Sequence, residues 1–133
     1  MANNLTDVAE NRLLDWLNGN AATAPVLPLK ARLMTANGDD ATPGTEVVNG
    51  GGSAYAAQTV AFPAAAAGAA ANSALITFTN MPAIGGGGVV GIEIWDSAGA
   101  PVRWWWGALT AAKVTNLGDD FEFQIGTISQ LVN

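Results

Sequence analysis

The sequence predicts a mainly β protein, an antiparallel β-sandwich or barrel of about eight short strands with one N-terminal α-helix. Three observations predict it. Short runs rich in β-branched and aromatic residues alternate apolar with polar positions. Gly, Asn, Asp and Pro clusters separate these runs at fairly regular spacing. Helical periodicity occurs in one convincing stretch, close to the N-terminus.

That stretch is Leu5 to Leu17. Leu5, Val8, Ala9, Leu13, Trp16 and Leu17 recur at helical spacing and form an apolar stripe. Asn4 or Thr6 can cap the start, and Asp7 and Glu10 suit the positive end of the helix dipole. Asn18-Gly19-Asn20 ends it, with Gly19 suited to a left-handed position. The stripe can pack on its own sheet or on a neighbouring subunit. Asn18 to Pro25 reads as a linker, so residues 1–20 form a helical arm and residues 21–133 a β-sandwich domain.

Pro28 to Met34 alternates as a strand with one buried face, and Thr35 to Pro43 as a turn-rich loop. Short strands are expected at Thr45–Val48 and Tyr55–Phe62, around the glycine run at Gly50 to Gly52. No Gly-Lys-Ser/Thr follows that run, so it is no phosphate loop. The alanine-rich Pro63 to Ala71 reads as a loop or a short irregular strand. Leu75–Thr79 is a strand, and Gly85 to Gly88 a loop.

Val89 to Leu109 then reads as a β-hairpin around Asp96-Ser97-Ala98-Gly99-Ala100-Pro101. Its second strand carries Trp104, Trp105 and Trp106. Side chains alternate along a strand, so Trp105 is expected on one face and the Trp104/Trp106 pair on the other. Lys113 to Asp120 is a further turn; Phe121–Ile125 and Ile128–Val132 close the fold.

Composition narrows the function. Charged residues make up 12% of the 133 residues, about half the usual fraction. So bland a surface fits coverage by other copies or other proteins. The net charge of −6 and five scattered basic residues argue against nucleic acid as a partner. No apolar run is long enough for a membrane span, and Met1 to Asn4 lacks signal-peptide character, so cytoplasmic synthesis is expected.

The chain has no cysteine and no histidine, which removes thiol chemistry, the commonest general base and the commonest zinc ligand. The pairs Asp39-Asp40 and Asp119-Asp120 each follow a glycine in turn sequence, where aspartate bonds turn backbone. No catalytic residue, metal ligand or cofactor is therefore expected. The tryptophans can serve as a sugar platform or as core and interface anchors. Only Arg103, Glu93 and Asp96 lie near enough in sequence to orient a sugar, which favours the anchor reading. The interface candidates are Leu5, Val8, Leu13, Trp16, Leu17, Trp104, Trp105 and Trp106.

Several motifs add a resemblance. They are N-R-L-L-D-W-L-N-G at Asn11–Gly19, P-L-K-A-R-L-M-T-A-N-G at Pro28–Gly38, and Gly44-Thr45-Glu46-Val47 followed by Gly51, Gly52 and Tyr55. Asn72 before LITF, G-I-E-I-W-D-S-A-G-x-P at Gly91–Pro101, and Gly107, Lys113, Val114, Gly118 and Asp119 complete the series. In this order the chain resembles a family of small virion structural proteins of tailed bacteriophages, known as tail fibre proteins. The resemblance implies a non-enzymatic component of the phage particle, made in the bacterial cytoplasm. Two placements compete: a decoration or cement protein bound between major capsid proteins, and a small tail or fibre component contacting tail proteins. A host-binding or carbohydrate-binding module is a third reading. The absence of repeats, coiled coil or shaft favours the capsid surface, and a homotrimer is the expected assembly.

Overall fold

The computed structural model describes residues 4–132. The first three residues of the expected arm, and residue 133, lie outside them. The elements are β1 (Asn4–Leu5), α1 (Asp7–Leu17), β2 (Leu29–Ala36), β3 (Thr45–Glu46), β4 (Gln58–Val60), β5 (Ala69–Ala71), β6 (Ile76–Phe78), β7 (Ile84–Trp95), β8 (Arg103–Thr115), β9 (Phe121–Phe123) and β10 (Ser129–Leu131). The protein is mainly β: among the described residues there are ten strands, all pairings antiparallel, and one helix near the N-terminus.

One large sheet runs β1-β8-β7-β2-β3, with β4 also on β2; β5–β10 and β6–β9 form two small pairs. Alternation explains the layering. On β2, Leu29, Ala31 and Leu33 point inward, and across the ladder Ala31 faces Ile94 while Leu33 faces Ile92. The β6–β9 pair brings Ile76, Phe78, Phe121 and Phe123 to the same core, which Val60, Met81, Val89 and Ile128 complete. Phe78 sits at its centre, stacked on Tyr55 at 5.8 Å and edge-on to Phe123 at 6.4 Å. Asn72 ties the small pairs together: its side chain donates to the Ala74 and Gln124 carbonyls and accepts from the Ile128 N–H.

Several boundaries differ from expectation. Leu5, expected in the helix, lies in β1 and pairs with Trp105, so the helix starts two residues later behind Thr6. Thr6 Oγ1 accepts from the Ala9 N–H, the cap that the sequence offered. Gly19 takes φ +76° just beyond the helix, as its position required. The glycine loop Gly85–Gly88 lies within β7, and β8 continues to Thr115. The register there is irregular: Ile84 faces Thr115 and Val89 faces Lys113, so the glycines bulge out of the ladder. The expected strand at Tyr55–Phe62 is shortened to Gln58–Val60, because Tyr55 is held by Asn49 in the preceding loop. No helix among the described residues is long and apolar enough to cross a membrane.

Candidate functional site

The β7–β8 hairpin organises two different environments, one on each side of the sheet. The outer side is polar and locked. Glu93 is 1% exposed and Arg103 is 6% exposed, and they pair at 2.9 Å through Glu93 Oε1 and Arg103 Nη1. The remaining valences are filled. Glu93 Oε1 also accepts from the Gly44 N–H at 2.8 Å, and Oε2 from the Trp95 indole N–H at 2.9 Å. The Arg103 guanidinium donates to the Asp39 and Asp40 carbonyls. Asp40 accepts from the Trp106 indole at 2.8 Å. A buried ion pair is tolerable only with such full satisfaction.

The result is that the loop from Asn37 to Gly44 is clamped over the sheet. Gly91 allows this approach, since a Cβ there would collide with the Asn37 side chain and crowd the Gly107 carbonyl. Next to the clamp, Arg32 stacks over Trp95 at 4.5 Å and reaches Glu46 at 3.4 Å. Glu46 accepts from the Tyr55 hydroxyl, which in turn accepts from the Leu33 N–H. Burial pushes the Tyr55 hydroxyl pKa up, and the Glu46 charge adds to the rise.

The hairpin turn is also self-contained. Burial of Asp96 opposes its charge, yet the N–H groups of Val102, Val26 and Ala98 outweigh that and hold its carboxyl below the usual value. Glu93, Asp96 and Arg103, the polar residues near the tryptophans in sequence, are thus committed to internal contacts. In each aspartate pair the first member behaves as a turn residue, while Asp40 and Asp120 bond to distant partners. Asp39 accepts from the Thr42 and Ala41 N–H groups, chiefly the former, which lowers its pKa; Asp119 accepts from the Asn116 N–H and Asp120 from the Asn80 N–H.

The other environment is apolar and open. A hollow of about 350 Å³ lies beneath α1, lined by Leu5, Ala9, Leu13 and Trp16, the linker Ala22–Pro25, Trp104, Trp105 and Val132. Arg12 is its one charged lining residue. The guanidinium stacks over Trp104 at 4.8 Å and donates to the Thr23 carbonyl. Only Ala9 of α1 is buried. Trp16 and Leu17, in the last turn of the helix, are 67% and 63% exposed.

The tryptophans do not alternate as expected. Trp105 faces Ile94 across the ladder and packs against the core, while Trp106 faces Glu93 on the outer side. One pair further on, Trp95 faces Arg103, so β8 carries one residue more than β7 and Trp104 is the extra one. This bulge sends Trp104 to the same hollow as Trp105 and away from Trp106. Of the eight interface candidates, Leu5, Leu13, Trp16, Trp104 and Trp105 meet at the hollow. Val8 lines a separate recess with Asp40, Trp95 and Arg103, Leu17 stands exposed, and Trp106 belongs to the clamp. Sequence reasoning missed Arg12, although its position three residues after Ala9 places it beside the stripe.

Interlocked loops on a β-scaffold lie beside an open apolar groove. The family comparison gives this fold a specific identity: the chain belongs to the family described as podophage GP4 fiber I protein gp80, whose model matches residues 4–130. It is therefore a phage fibre-like virion structural protein. No curated protein matches the chain. The motifs that carried the resemblance acquire a physical meaning here. Gly44, Gly91, Glu93 and Trp95 build the clamp, Glu46 and Tyr55 the chain beside it, and Asp96 the hairpin turn.

Proposed function

We propose that this chain is a non-enzymatic, globular component of the podophage fibre apparatus that joins neighbouring virion proteins by burial of apolar surface. The observation that carries the reading is the family match over nearly the whole described fold. The open hollow and the exposed end of α1 supply the apolar area, at about 25 cal/mol per Å² before ordering costs. Repetition on a symmetric particle multiplies weak contacts.

A second reading is a capsid decoration protein that cements major capsid proteins. The compact fold favours it: among the described residues there is one helix of 11 residues and no shaft. Copy number per virion separates the two. A few copies, labelled at the tail by a specific antibody, support the fibre reading; hundreds on the head overturn it in favour of cement. Particles lacking the protein should keep head stability and lose host adsorption under the fibre reading. Loss of heat resistance with normal adsorption would establish the opposite.

A further inference from the structure

The hollow beneath α1 has a shape, a charge and a complement on the same molecule. Its lining is almost wholly aliphatic and aromatic, with Arg12 and Thr23 the polar exceptions, so it offers few partners to the hydroxyls of a sugar. Its single charge is the Arg12 cation, which is in no ion pair among the described residues. On the opposite flank of α1, Glu10, Leu14 and Leu17 fall at spacings of four and three residues and share one edge. All three are exposed, and Glu10 is likewise in no ion pair among the described residues. An acid-flanked leucine edge therefore sits one helix width from an arginine-flanked apolar hollow.

We propose that the hollow receives the Glu10–Leu14–Leu17 edge of α1 from a second copy of the chain, with Glu10 of that copy set against Arg12. Apolar surface meets apolar surface, and the charges are of opposite sign. The giving edge and the receiving hollow are different surfaces, so the contact is heterologous, and it builds a ring where the rotation between copies closes. This geometry accommodates a trimer. Leu14, Trp16 and Leu17 alone present less than the about 800 Å² per partner of a standard interface. A ring engages both patches on every copy.

The proposal goes beyond the reading above, and it is tested on the purified full chain without particles. Its failure is therefore distinguishable from failure of the fibre or cement placement. Sedimentation velocity of the wild-type chain should show a concentration-dependent oligomer. Glu10→Arg should raise its dissociation constant by about tenfold or more, the scale of a lost close charge pair. Adding Arg12→Glu to Glu10→Arg should restore assembly, which a merely structural effect of either change would not do. Leu17→Asp should leave a monomer, with circular dichroism and Tm unchanged because the site is exposed. A wild-type chain that remains monomeric up to high micromolar concentration overturns the proposal. So does an oligomer indifferent to Glu10→Arg and Leu17→Asp.

Discussion

The outer face of the hairpin and the helical arm rest on the same strand, β8, yet they are held by different physics. On the outer face, the buried Glu93 carboxylate is enclosed by Arg103, Gly44 and Trp95, and each partner is fixed in turn by a loop. Removing any one leaves a buried charge or donor exposed to a low dielectric. The arm is joined chiefly at its root, with Arg12 stacked on Trp104 further along. Leu5 pairs with Trp105, the Thr6 hydroxyl donates to the Arg103 carbonyl at 2.8 Å, and the Asp7 N–H donates to the Asp40 carbonyl at 3.2 Å. Beyond Ala9 no residue of the helix is buried, and Arg12 makes side-chain contacts with Trp104 and Thr23. The difference teaches where this fold resides: in the closed polar face, with the arm as an attachment to it.

The largest test of this contrast is Arg103→Met. It strands Glu93 in the clamp and should cost about 3–5 kcal/mol in urea unfolding. A loss below 1 kcal/mol would place the two faces on an equal footing. Asp96→Ala comes next, at about 1–3 kcal/mol, since it leaves three backbone N–H groups of the turn without their acceptor. The same carboxylate predicts an acid limb. Its folded pKa lies below the ordinary 3.8, so its contribution is complete above that value. Stability should fall as pH drops from 3.8 through the lowered value, and Asp96→Ala should flatten that limb.

Thr6→Ala removes both the helix cap and the bond to the Arg103 carbonyl, and about 1 kcal/mol should be lost. Faster amide exchange should then be confined to α1, with β2 and β7 unchanged. Trp16→Ser should have the smallest effect, within about 0.5 kcal/mol, because the indole is 67% exposed. A Tm drop of many degrees there would show that the arm contributes to the core fold.

Much of the sheet was legible because its periodicity is local. Leu29, Ala31, Leu33, Ile92 and Ile94 carry their inward direction in the alternation itself. The helix and its cap were legible for the same reason. Three features left no local pattern. β1 is two residues long, too short for any period, and it exists because the β8 edge accepts it. The Trp104 bulge depends on a register between strands, which three identical residues cannot reveal. The clamp joins positions 49 and 64 apart in the chain, so Gly44 and Asp39 looked like ordinary turn residues. Of the candidate site, the apolar residues were found by type, but their division among hollow, recess and clamp came only from packing.

The root of the arm has a mechanical consequence. β1 meets β8 over two residues, Asn4 opposite Trp106 and Leu5 opposite Trp105. A tether of that length behaves as a hinge pin beneath a stiff lever, the 11-residue helix. A load applied at Leu17 acts at a lever arm of about 15 Å, by the axial rise of a helix. Torque would therefore concentrate at Thr6, whose side-chain bonds and N–H bond to the Trp104 carbonyl would yield before the clamp beside it. A particle under strain could pivot its contacts about this point while the β-scaffold kept its shape.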